Sequence, residues 1–375
     1  MPMRLSIVVV FLFLAAAGVS TAEAQTYPPT SDAVHTCSCP DEEEGAACPN
    51  GTCPEVDVHR QIVSYEGGIF DNRPNVTDTR CDYSYPSPKI RDCHIDLRGW
   101  LYYEQGKPIA NAPLIVYNHG HNQDRNQPCA IVRFFVKQGY VVFAPLRRGH
   151  TSSTASSTGT YLDDYVDQCN NCSEAQRNKR QVDYLKSQTQ DVESAIKYMK
   201  NYPYVPAPDT APSPAVHKLI DPDRIAIMGH SFGGSLVLFA NALNLGHHAT
   251  IDISGAGLSW PTDGLPGNPE WKPRLKKAVL DAKKPIFFLQ PKNEVPPGSS
   301  TEPTRYLSGI AMKELERTQA ALFPKACFEP GKIDDETGDE MPEGLQAHGN
   351  FITLDDEVAN WGPAVDAFLR LYWPD

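Results

Sequence analysis

Four stretches of this chain are apolar without a break: "PLIVY", "YVVFAPL", the "IAIM" of "RIAIM", and "PIFFL". A strand with one face in water alternates apolar and polar residues; an unbroken apolar run marks burial on both faces. Helical spacing fills the gaps between them. "CAIVRFFVKQG" puts Ile131, Val132, Phe135 and Val136 on one face, and "SQTQDVESAIKYMKN" does the same with Val192, Ala195, Ile196 and Met199. "SLVLFANALNLG" is helical, and a closing helix carries Val358, Trp361, Val365, Phe368, Leu369 and Tyr372. Strands alternating with helices predict a mainly parallel sheet covered on both sides. Upstream, "RQIVSYEG" and "IDLRGWLYYEQG" alternate and predict antiparallel strands at one edge. A polar loop is expected over 151–180, and no internal repeat is present.

Such sheets bind ligands beyond the carboxyl ends of their strands. There "RIAIM" runs into Gly229-His230-Ser231-Phe232-Gly233, a G-x-S-x-G pattern followed by a helix. The pentapeptide is common by chance; the strand before and the helix after are what give it meaning. A sharp strand-to-helix turn raises a serine oxygen above the sheet, at the positive end of a helix dipole, and needs small residues on either side. Ser231 is therefore the expected nucleophile.

A serine needs a base within hydrogen-bond reach. His348, in "LQAHGNF" on an expected loop before the last helix, follows the serine in the Ser…acid…His order. His230 is expected to point away, and His247 and His248 to lie at the wrong end of the sheet. The acid that orients the base is expected to be Glu294, the first carboxylate after "PIFFLQ", with Asp252 as the competing choice. Backbone N–H groups of Phe232 and His121 are the candidate oxyanion donors, Gly120 permitting close approach.

The N-terminus reads as a secretory signal: Arg4, an apolar run from Leu5 to Ala17, and a small-x-small site at Ala22–Ala24. Residues 1–24 are assigned to it, 25–58 to a Cys/Pro-rich extension and 59–375 to one catalytic domain. A secreted or periplasmic location follows. All ten cysteines come after the signal, which favours disulfides. Four crowd into 37–53, a spacing that also suits zinc, with His35 and His59 flanking; no histidine lies inside the cluster, so no metal is assigned. Cys169 and Cys172 form a CxxC read as a loop staple. Asn50, Asn75 and Asn171 begin N-x-S/T sequons. A net charge of −12 argues against a nucleic-acid partner.

The stretches "PLIVYNHGH", "GYVVFAPLRRGH", "DRIAIMGHSFGG", "PIFFLQPKNE" and "AHGNF…NWGPAVDAFL" resemble the dienelactone hydrolase-like branch of the α/β-hydrolase superfamily, which is similar to the catalytic domain of prolyl oligopeptidases. The resemblance spans about 112–372 and implies an α/β-hydrolase fold, with the disulfide-rich extension added. It places Ser231 as nucleophile, His348 as base and Glu294 where an aspartate is usual. Dienelactone hydrolases use cysteine; serine here points to general ester chemistry. The resemblance also sets "PLRRGH" beside the site. Arg147 there is a candidate to hold a substrate carboxylate, or else a structural tie to a neighbouring loop. Trp260 either lines a substrate pocket or packs under the following loop.

The expectation is an exported serine hydrolase acting on a small ester or peptide-like substrate, without metal or organic cofactor. After signal cleavage no membrane partner is expected, and the oligomeric state is left open. A prolyl-oligopeptidase-type peptidase, an acyltransferase and an inactive binding protein are the alternatives.

Overall fold

The structure is a computed structural model and describes residues 58–66, 96–104, 109–121, 129–148, 172–204, 217–255, 260, 267–291, 294, 302–315, 317–323 and 345–373. The signal, the cysteine cluster, the three sequon asparagines and Cys169 lie outside these residues. In chain order the elements are β1 (Val58–Glu66), β2 (Asp96–Glu104), β3 (Ala112–Asn118), α1 (Cys129–Lys137), β4 (Val141–Leu146), α2 (Glu174–Ser187) and α3 (Thr189–Lys200). A small hairpin follows, β5 (Pro203–Tyr204) and β6 (His217–Lys218), then β7 (Ile220–His230), α4 (Phe232–Leu243), β8 (Ala249–Ile253) and α5 (Trp271–Leu280). The chain closes with β9 (Ile286–Pro291), α6 (Glu302–Glu314), β10 (Gln319–Phe323), α7 (Leu345–Thr353) and α8 (Asp355–Tyr372). Val58 opens β1, so the sheet begins within the segment assigned to the extension.

Among the described residues one eight-stranded sheet runs in the order β1-β2-β4-β3-β7-β8-β9-β10. The two alternating strands pair antiparallel, and β2 pairs antiparallel to β4; from β4 onward neighbours are parallel. The unbroken apolar runs are explained by two cores, one on each face. Leu114, Val116, Val141, Phe143, Ile225, Ile227, Ile286 and Phe288 pack toward α2 to α6. Their neighbours Ile115, Tyr117, Val142, Ala144, Ala226, Met228, Phe287 and Leu289 pack toward α1, α7 and α8. Successive residues of a strand point to opposite faces, so a sheet covered twice needs apolar side chains at every position.

Two expectations are corrected. The segment read as a polar loop to residue 180 already enters α2 at Glu174; a capping box joins Ser173 and Gln176, and only Val182, Tyr184 and Leu185 of this polar helix are buried. Helical spacing missed it because so few of its residues are apolar. The helical pattern after it is interrupted at Gln188, which separates α2 from α3. Cys129 and Cys172 are both disulfide-bonded. Among the described residues no helix is long and apolar enough to cross a membrane.

Candidate active site

Ser231 stands between β7 and α4 with φ 57° and ψ −118°, a conformation that side chains other than glycine rarely adopt. Its N–H donates to the Ile253 carbonyl at 2.9 Å, and its side chain makes no capping bond to the helix. The flanking glycines are required by contact. A Cβ on Gly229 would lie 2.1 Å from the Gly233 carbonyl oxygen, and one on Gly233 would lie 2.0 Å from that of Asn118. The start of α4 is thereby pressed against the end of β3.

Glu294 and His348 come together from different parts of the chain. Nδ1–H of His348 donates to Oε1 of Glu294 at 2.5 Å, both side chains being almost wholly buried. An ionised carboxylate only accepts, so Nδ1 carries the proton and Nε2 is left as the basic nitrogen. His348 lies within α7, not on the loop expected. His230 has a role that the sequence did not suggest. Its ring packs on His348 with centroids 4.2 Å apart, and its Nε2–H donates to the His348 carbonyl at 3.0 Å. Burial first, and then unfavourable electrostatics with the adjacent His348 ring, hold His230 well below the usual histidine range. Among the described residues no hydrogen bond joins Ser231 Oγ directly to His348; they meet through His230.

Asp252, the competing acid, is engaged elsewhere. Its Oδ1 accepts the Gly255 N–H at 3.0 Å. Burial, reinforced by the charge of Glu294 and opposed by that N–H, pushes its carboxyl up to about 7. Ser254, unremarked in the sequence, is buried at φ 52°, and its hydroxyl donates to Glu294 Oε2 at 2.7 Å. Nothing in "DISGAG" signals that contact; it arises because β8 lies beside β9.

The His121 and Phe232 rings pack at 4.9 Å, which brings the two candidate oxyanion residues side by side. Arg147 is buried, with Nε–H donating to Gln188 Oε1 at 2.9 Å and Nη2–H to the Gly120 carbonyl at 3.3 Å. Trp260 is 1% exposed, packs against Tyr306 at 5.8 Å, and has the Lys272 ammonium 5.7 Å from its ring centre. His247 and His248 lie in the turn from α4 to β8, at the opposite end of the sheet. Among the described residues no group of His, Cys, Asp and Glu is arranged to hold a metal ion.

Strand order and direction, the strained turn after β7, and a carboxylate beyond β9 paired with a later histidine together make this an α/β-hydrolase fold, so the chain has the architecture of a hydrolase. No family model and no curated protein matches the chain. Solved structures similar to it include the acylaminoacyl peptidase of Pyrococcus horikoshii, at 14% identity and TM-score 0.48 over 84% of this chain and 42% of that one. A dienelactone hydrolase-like promiscuous phosphotriesterase from metagenomic libraries matches at 11% identity and TM-score 0.49, over 85% of this chain and 100% of that one. An esterase of Pyrococcus furiosus matches at 13% identity and TM-score 0.45, over 83% and 93% of the two chains. This chain thus spans less than half the length of the peptidase, and no substrate is carried over from any of the three.

Proposed function

We propose that this chain is an exported serine hydrolase that cleaves carboxylic esters through an acyl-enzyme. The observation that carries the reading is the buried Glu294–His348 pair, held by His230 beside the strained Ser231 turn. Ser231 Oγ attacks the ester carbonyl as His348 Nε2 takes its proton. Glu294 holds the tautomer and stabilises the imidazolium. The N–H groups of Phe232 and His121 receive the oxyanion, aided by the positive end of α4. His348 then protonates the leaving alcohol, and a water deprotonated by His348 releases the acid and regenerates Ser231. The N-terminal apolar run and the disulfide-bonded Cys129 and Cys172 support export, since disulfides persist in oxidising compartments.

Fluorophosphonate labelling together with turnover of p-nitrophenyl esters and aminoacyl-nitroanilides tests this reading. Parent protein should label at Ser231 and cleave esters. Ser231→Ala should lose labelling and about 10⁴-fold or more in kcat, and Glu294→Gln about 10³–10⁴-fold. Absence of labelling in folded protein would favour a binding protein, and amide turnover with negligible ester turnover a peptidase.

A further inference from the structure

Arg147 follows β4 directly, yet its side chain turns back across the sheet end toward β3. Its Nε–H donates to Gln188 Oε1 at 2.9 Å and its Nη2–H to the Gly120 carbonyl at 3.3 Å. The frame behind it is stiff. Gln188 Nε2–H donates to the Arg148 carbonyl at 3.0 Å, and the Tyr184 hydroxyl donates to the same oxygen at 3.2 Å. Arg148 is locked to the fully buried Asp191, by its N–H at 2.9 Å, by Nε–H at 2.6 Å and by a close Nη2 pairing.

The Gly120 oxygen also accepts His119 Nδ1–H at 2.8 Å. That oxygen and the His121 N–H belong to one planar peptide, in which C=O and N–H point to opposite sides. Donors that fix the oxygen therefore fix the direction of the N–H. A cationic donor on the oxygen also polarises the peptide and strengthens its N–H as a donor. On the far side the His121 ring rests against that of Phe232, the residue after the serine.

We infer that Arg147 is a positioning residue: it clamps the Gly120–His121 peptide so that the His121 N–H faces the oxyanion formed at Ser231. This rests on the serine-hydrolase reading above. It also separates Arg147 from a role in holding a substrate carboxylate, for which the guanidinium would have to be open to the pocket; Arg147 is 1% exposed and donates inward.

The test compares Arg147→Lys and Gln188→Met with the parent on two esters, neutral p-nitrophenyl acetate and carboxylate-bearing p-nitrophenyl hemisuccinate. A trifluoromethyl ketone, which forms a tetrahedral oxyanion adduct, is titrated in parallel. Arg147→Lys should lower kcat about tenfold to a hundredfold on both esters, leave KM nearly unchanged, and weaken ketone binding in proportion. Gln188→Met, which releases only the Nε anchor, should show the same pattern more weakly, and serves if Arg147→Lys does not fold. A KM rise confined to hemisuccinate, or unchanged kcat and ketone affinity in either folded variant, overturns the proposal. Ser231→Ala is run alongside. Retained turnover there fails the serine-hydrolase reading itself, whereas its loss with unaffected Arg147→Lys and Gln188→Met fails only the positioning role.

Discussion

Ser254 separates two effects that one side chain can combine. Its backbone is in the left-handed region, which glycine tolerates better, and its hydroxyl donates to the second oxygen of a buried carboxylate. Ser254→Ala leaves Glu294 Oε2 short of a donor, and a hydrogen bond to a charged group contributes about 1.5–3 kcal/mol, so kcat should fall about tenfold or more with KM little changed. Ser254→Gly should lose as much activity while relieving the backbone. Steady-state kinetics on both decides; an active Ser254→Gly beside a weak Ser254→Ala would assign the residue to backbone conformation alone. The serine turn was legible at this scale from its glycines, whereas the place of Glu294 after a strand only made it one of two candidate acids beside Asp252. Ser254 and the packing of His230 on His348 were not legible, since each depends on a residue distant in the chain.

Among elements, the contact between the start of α4 and the end of β3 sets the site. At Gly233 the two backbones approach closely, and its neighbours there are backbone atoms, carbonyl oxygens foremost, which cannot rotate aside as a side chain can. Gly233→Ala should push α4 off β3, costing about 1–3 kcal/mol of stability, as overpacking does, and displacing Phe232 from His121. Urea unfolding with ester kinetics checks this: a loss of activity larger than the loss of folded protein is expected, and a fully active, equally stable variant would contradict it. The glycine pattern was legible because such a turn demands it. The start of α2 was not, because a polar helix with a cap but few buried residues leaves no apolar period to read. Likewise His348 looked like loop because α7 is short, only nine residues, and carries Gly349, a poor helix former, beside it.

For the whole molecule, acid stability has a specific contributor at the end of the sheet away from the site. His247 is fully buried, and among the described residues neither ring nitrogen has a hydrogen-bond partner. Burial, with the nearby charges of Lys284, His248 and Lys200, lowers it to about 3. The unfolded chain takes up that proton near pH 6.5 and the folded chain does not until about pH 3, so this stability is complete above about 6.5 and is lost as pH falls toward 3. His247→Leu should be at least as stable as the parent at pH 7.5 and should lose less between pH 7 and 4.5; urea midpoints at those values test it, and equal losses would contradict it. Across the molecule, the doubly covered parallel sheet is written in the order of residues, because burial on both faces forces unbroken apolar strands, and so is the serine turn, because local sterics demand glycine there. The tertiary structure alone decided which acid meets His348 and what Arg147 touches. Sheet order places β9 beside β8 and β4 beside β3, and hydrogen bonds between strands distant in the chain leave no periodic trace in it.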